Sequence, residues 1–63
     1  MAYREQDIKH ETADFWVLDV GSKGFEVYRT GITHSTRCAQ IGYRGDIGLQ
    51  KAIAECERRQ ATI

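Results

Sequence analysis

Residues 15–20 read Phe-Trp-Val-Leu-Asp-Val, a run that is apolar on both sides if it forms a strand. Alternate side chains of a strand point to opposite faces. Trp16, Leu18 and Val20 therefore share one face, with Phe15 and Val17 on the other. The chain offers only one credible helix, and one helix hides one face of a sheet. The second face must be covered by a partner, a second copy or the N-terminal arm. That geometry points to binding.

Size sharpens the point. At 63 residues the chain is one domain at most, and a domain of this length buries only about 60% of the surface its unfolded form exposes. Dimerisation is a sensible supplement to so small a core. Nine basic and nine acidic residues give zero formal charge, so no whole-protein field draws it to nucleic acid or membrane. The charges are unevenly spread. Residues 1–14 are acidic on balance, whereas residues 23–44 carry Lys23, Arg29, Arg37 and Arg44 against Glu26 alone. Two cysteines, Cys38 and Cys56, make no disulfide framework. No apolar stretch approaches the roughly 20 residues of a membrane span, and the N-terminus lacks a signal-peptide core. A reduced, cytoplasmic protein is expected.

Along the chain, residues 1–13 read as a flexible polar arm with Tyr3 and Ile8 as its apolar anchors. Residues 14–60 form the single domain. Strands are expected over 14–20, 25–30 and 36–43, with Gly21-Ser22-Lys23-Gly24 as the first turn. Asp46 suits a helix N-cap, and Leu49, Ala52, Ile53 and Cys56 follow the i, i+3, i+4, i+7 stripe of a helix running to about Gln60. The expected class is α+β, a three-stranded antiparallel β-β-β-α sheet with one C-terminal amphipathic helix packed on one face.

Parity assigns the faces. A two-residue loop at Ser22-Lys23 sets Val20 opposite Phe25 and Leu18 opposite Val27; a five-residue loop over 31–35 sets Val27 opposite Ala39 and Phe25 opposite Ile41. The core face is then Trp16, Leu18, Val20, Phe25, Val27, Ala39 and Ile41. The outward face carries Phe15, Val17, Asp19, Glu26, Tyr28 and Cys38, with Asp19 facing Glu26, an unfavourable pair of like charges. An exposed apolar strip marks an interaction site, so Phe15, Val17 and Tyr28 are the expected partner-binding centre, most simply in a homodimer.

A second reading uses the basic middle of the chain. Arg29, His34, Arg37 and Arg44, with the hydroxyls of Thr30, Thr33, Ser35 and Thr36, are donors suited to phosphate oxygens. His10, His34, Cys38 and Cys56 are a nominal set of metal ligands without the spacing of a zinc site. His34 and Cys38 lack an orienting third group or oxyanion cradle. No catalytic residue, metal or cofactor is implied, and an enzyme is not expected.

Three short strands followed by one amphipathic helix, over residues 15–59, resemble the arm-type DNA-binding domain of phage integrases, and the plant AP2 domain is similar in outline. In that family the exposed sheet face enters the major groove, a role that Tyr28, Thr30, Thr36 and Gln40 fit here. Phe15, Val17, Asp19 and Glu26 on the same face suit DNA poorly. The β-β-β-α tail of a double-stranded-RNA-binding domain looks similar too, but its first helix and lysine-rich helix start are missing. The expected function is therefore a small non-enzymatic interaction module that self-associates through the uncovered sheet face. The alternative is a nucleic-acid-binding accessory protein using Arg29, His34, Arg37 and Arg44.

Overall fold

In the computed structural model, which describes residues 5–62, the sheet has four strands. A 3-10 turn at Glu5–Asp7 leads into β1 (Ile8–Glu11), followed by β2 (Phe15–Asp19), β3 (Phe25–Arg29), β4 (Thr36–Ile41) and α1 (Gly45–Ala61). The strands lie in chain order β1-β2-β3-β4, each antiparallel to its neighbour. The class is α+β as expected, with one strand more. The added strand is β1, which the sequence reading placed in a loose arm. Its pattern is weak because a bulge between Ile8 and His10 breaks the alternation. Ile8 then stands opposite Leu18 and His10 opposite Val17, so these two residues serve opposite faces. Tyr3, the other expected anchor of the arm, lies outside the described residues.

The β2–β3 register corrects the parity argument. Asp19, not Val20, stands opposite Phe25, and Val17 stands opposite Val27. The connection is a five-residue turn over 20–24 rather than a two-residue one. The Gly21 N–H donates to the Asp19 carboxylate at 2.8 Å, the Gly24 N–H to the Gly21 carbonyl at 3.0 Å, and the Val20 N–H to the Gly24 carbonyl at 3.0 Å. Gly24 has φ of 99°, and a Cβ there would meet the Ile41 carbonyl oxygen at 2.2 Å. Only glycine fits. One residue of slip flips every side chain of a strand. Phe15 and Val17 consequently enter the core, while Trp16 and Leu18 turn away from it.

The core joins Phe15, Val17, Phe25 and Val27 of the sheet to Ala52 and Cys56 of α1, with Cys38, Ala39, Ile41 and Leu49 packed around them. Val17, Val27 and Cys56 are wholly buried. Phe25 and Val27 of β3, Ala39 and Ile41 of β4 and Leu49, Ala52 and Cys56 of the helix take the core side as the sequence reading has them; β2 is reversed and Cys38 changes side. A second bulge, where Val27 pairs with Ala39 and Tyr28 with Arg37, places Cys38 as the extra residue. It packs on the core side rather than outward against Tyr28.

The helix starts at Gly45, with Arg44 as N-cap and no side-chain cap bond. Asp46 therefore sits within the first turn, where its charge still complements the helix dipole, instead of capping. At the other end Gln60 ties α1 to the β1–β2 turn. Its Oε1 accepts from the Thr12 hydroxyl at 2.8 Å and the Asp14 N–H at 2.7 Å, and its amide donates to the Asp14 carboxylate at 2.8 Å. His10 and Glu57 lie 3.4 Å apart along the same seam.

Candidate interaction surfaces

The sheet face away from α1 is built from Trp16, Leu18, Glu26, Tyr28 and Arg37. Trp16 and Tyr28 are direct cross-strand neighbours, their rings stacked at 4.5 Å and 12°. The Tyr28 hydroxyl donates to Glu26 Oε1 at 2.8 Å and the Arg37 guanidinium to Glu26 Oε2 at 3.0 Å. Each carboxylate oxygen of Glu26 thus has a partner, which is what a buried charge requires. The Trp16 indole N–H donates to the Ser35 hydroxyl at 3.2 Å. Trp16 and Leu18 are only 6% and 5% exposed, so this face is largely closed in the single chain.

Two of the three expected partner-binding residues are therefore misplaced. Phe15 and Val17 lie in the core under α1, because the longer β2–β3 turn reverses β2. Only Tyr28 stays on the outward side, half-buried. The expected Asp19–Glu26 repulsion does not arise either. Asp19 is opposite Phe25 and bound to the Gly21 N–H, whereas Glu26 is opposite Leu18.

The expected nucleic-acid set is split by the topology. Arg29 ends β3 and Arg37 lies near the start of β4, with His34 in the loop between them. Arg44 follows β4 and caps α1 at the opposite end of the sheet. Arg29 lies over the Phe15 ring at 5.9 Å, on the helix side. Arg37 extends to Glu26 on the other side.

Among the described residues, the large apolar side chains exposed to solvent are Ile32, Tyr43 and Ile47. Tyr43 and Ile47 sit where β4 turns into α1, 58% and 66% exposed. The Lys51 ammonium lies 5.1 Å from the Tyr43 ring centroid, and Lys51 is one turn beyond Ile47 on the same helix face. Sequence reasoning did not select Ile47, although its position off the Leu49–Ala52–Cys56 stripe was the available signal.

Two open clefts flank the turn end of the sheet. One, of about 410 Å³, runs between the start of α1 and β2, with Phe25 and Leu49 as apolar lining and Lys9, Asp19, Arg44 and Asp46 around them. The other, of about 580 Å³, lies outward between Asp7, Leu18, Lys23 and Glu26. Both mix charges of each sign, and neither contains a cysteine or histidine. The nominal metal ligands also disperse. His10 faces Glu57, His34 contacts the Thr33 hydroxyl, Cys38 contacts the Thr36 carbonyl and Cys56 is buried beside Thr12. Burial pushes the Cys56 thiol up, aided by the Glu57 charge and opposed by the Thr12 hydroxyl. Among the described residues no group of three metal-binding side chains gathers, and no helix is long and apolar enough to cross a membrane.

These features define a small α+β domain, a four-stranded antiparallel meander backed by one C-terminal helix. Compared with protein-family models, curated proteins and solved structures, the chain matches none.

Proposed function

We propose that the protein is a small non-enzymatic interaction module that self-associates in the cytoplasm, through the corner between β4 and α1 rather than through the outward sheet face. The observation that carries this reading is the exposure of Tyr43 and Ile47, both more than half open to solvent where β4 turns into α1, with Lys51 over the Tyr43 ring. Exposed apolar surface ringed by polar groups marks interaction sites, and aromatic residues commonly anchor them. A chain with so small a core gains stability from a second copy. Two free thiols, one at the sheet edge and one in the core, suit a reducing compartment.

Sedimentation equilibrium of the full chain at about 100 µM, a concentration at which micromolar association is populated, tests the reading. A dimer that Ile47→Lys converts to monomer, with the helix signal unchanged, is the expected result. A wild-type monomer overturns self-association. A dimer indifferent to both Ile47→Lys and Tyr43→Ser overturns the choice of surface.

A further inference from the structure

The two edges of the sheet are not equally protected. An edge strand exposes unpaired N–H and C=O groups, which proteins blunt with short strands, charged side chains and bulges. β1 has all three: it is four residues long, carries Lys9 and Glu11, and is bulged between Ile8 and His10. β4, at the other end of the strand order, has its bulge at Cys38, and its one charge, Arg37, is turned to Glu26. Beyond that bulge the chain runs Ala39-Gln40-Ile41-Gly42-Tyr43 without a charged residue.

The backbone shows which groups of this stretch are open. The Ile41 carbonyl oxygen, and the backbone nitrogen and carbonyl oxygen of Tyr43, crowd Gly24 on the β3 side. Along an antiparallel strand the N–H and C=O of one residue point one way and those of the next point the other. Gln40 and Gly42 therefore aim both groups at the open edge, and both residues are exposed. Among the described residues no hydrogen bond outside the strand ladders reaches them. The side chains alternate in step. Ala39 and Ile41 pack on the helix side, as does Tyr43, whose ring faces the Lys51 ammonium. Ala39 and Ile41 are only half-buried, since α1 leads away from β4 to the β1–β2 turn where Gln60 is bound.

We propose, resting on the self-association argued above, that this edge is occupied by the same strand of a second copy, paired antiparallel about a two-fold axis at Ile41 to make one continuous sheet. The register follows from the open groups. With Ile41 opposite its own copy, Gln40 meets Gly42 of the second copy and Gly42 meets Gln40, each pair exchanging both of its hydrogen bonds. Ala39 then stands opposite Tyr43 of the second copy, and the two Ile41 side chains meet at the axis. The helix side gains an apolar row that covers the half-buried Ala39 and Ile41, and Ile47, one turn before Lys51 on the same helix face, borders it. Residue i meets j while j meets i, as a two-fold contact requires, and no like charges are opposed. A centre at Gln40 would instead set the bulged Cys38 against Gly42, where pairing ends. The match is to the strand itself, so no foreign partner is required.

Residue-resolved hydrogen exchange of the unmodified full chain, alongside sedimentation over a range of concentrations, tests the pairing. Where about nine-tenths of the chain is dimeric, exchange through the remaining monomer should slow the Gln40 and Gly42 amides about tenfold, while the exposed loop amide of Thr33 keeps its rate. Cross-linking checks the axis. In a Cys38→Ser background, Ile41→Cys should oxidise to a covalent dimer, because a non-hydrogen-bonded pair sets its Cα atoms about 4.5 Å apart, within disulfide reach. Gln40→Cys, whose two copies lie diagonally at about 7–8 Å, should not. A monomer at every concentration overturns the self-association reading and this pairing with it. A dimer whose Gln40 and Gly42 amides exchange as fast as in the monomer overturns edge pairing alone and leaves association through the Tyr43–Ile47 corner standing. A dimer in which Gln40→Cys cross-links as readily as Ile41→Cys overturns the register.

Discussion

Replacing Gln60 with Ala should unfasten the end of α1 from the sheet. Gln60 makes three hydrogen bonds, to the Thr12 hydroxyl, the Asp14 N–H and the Asp14 carboxylate, all between 2.7 and 2.8 Å. A typical hydrogen bond contributes about 1 kcal/mol net. The Thr12 hydroxyl has the Phe15 carbonyl at 3.3 Å as a fallback, and alanine regains a few tenths of a kcal/mol of helix propensity. The expected loss is therefore about 2 kcal/mol. For a 63-residue chain, at about 0.05–0.15 kcal/mol per residue, total stability is only about 3–9 kcal/mol, so about a fifth or more of it is at stake. At about 4–8 °C per kcal/mol for small domains, Tm should fall by about 8–16 °C. Urea titration followed by the helix signal and by the single tryptophan measures the difference. Gln60→Glu provides a sharper version. It retains acceptors for Thr12 and the Asp14 N–H but sets a carboxylate against that of Asp14, so added salt should recover part of its deficit by screening the repulsion. A loss below about 0.5 kcal/mol in Gln60→Ala, the range of ordinary surface substitutions, would refute the view that this clamp holds the helix end.

Two further outcomes test the register and the helix electrostatics. Val17→Lys should abolish the folded state, because Val17 is fully buried and an unpaired buried ammonium costs several kcal/mol; a folded variant with native tryptophan fluorescence would restore the register read from the sequence. Burial pushes the Glu55 carboxyl up, but hydrogen bonds and charges from Arg58 and Arg59 outweigh it and hold it below its ordinary value. A depressed folded pKa gives stability that is present above the ordinary glutamate value and lost as pH falls through the folded one. Glu55→Gln should thus lower stability at neutral pH and flatten its decline in acid; parallel stability–pH curves for the two proteins would count against the pairing.

The helix and two of the strands were legible because their patterns are local. Leu49, Ala52 and Cys56 mark one face of α1 in the sequence and in the core alike. Phe25, Val27, Ala39 and Ile41 lie on one side of the sheet in both readings. Strand β2 was legible as a strand but not in its register, for a physical reason: its two faces are equally apolar, so hydrophobic alternation carried no register and the turn alone decided it. That turn uses the Asp19 side chain and the left-handed Gly24, neither of which is encoded in a count of loop residues. Strand β1 was hidden by its bulge. The candidate site suffered most, since Phe15 and Val17 were selected through the reversed face, while Ile47 is a single residue off a helical stripe.

The reversal also changes which kinds of partner the molecule suits. With Phe15 and Val17 outward and Asp19 beside Glu26, the sheet face would have been an apolar patch edged with unpaired acid. With β2 turned over, Asp19 closes its own turn and Glu26 is held by Arg37 and the Tyr28 hydroxyl, so carboxylate and guanidinium cancel and this face exerts no net pull on a polyanion. The same reversal buries Trp16 and Leu18 on the outward side, so a flat docking face is gone as well. What projects is narrow: the Tyr43–Ile47 rim at one end of the sheet and the acid-free hairpin tip at the other. Because these lie at opposite ends, a dimer formed through the rims leaves both tips outside the interface. Ile47→Lys should therefore convert the dimer to monomer, whereas Ile32→Ser, at the exposed hairpin tip, should leave the oligomeric mass unchanged. An Ile32→Ser variant that is also monomeric would place the hairpin tip, not the rim, in the interface.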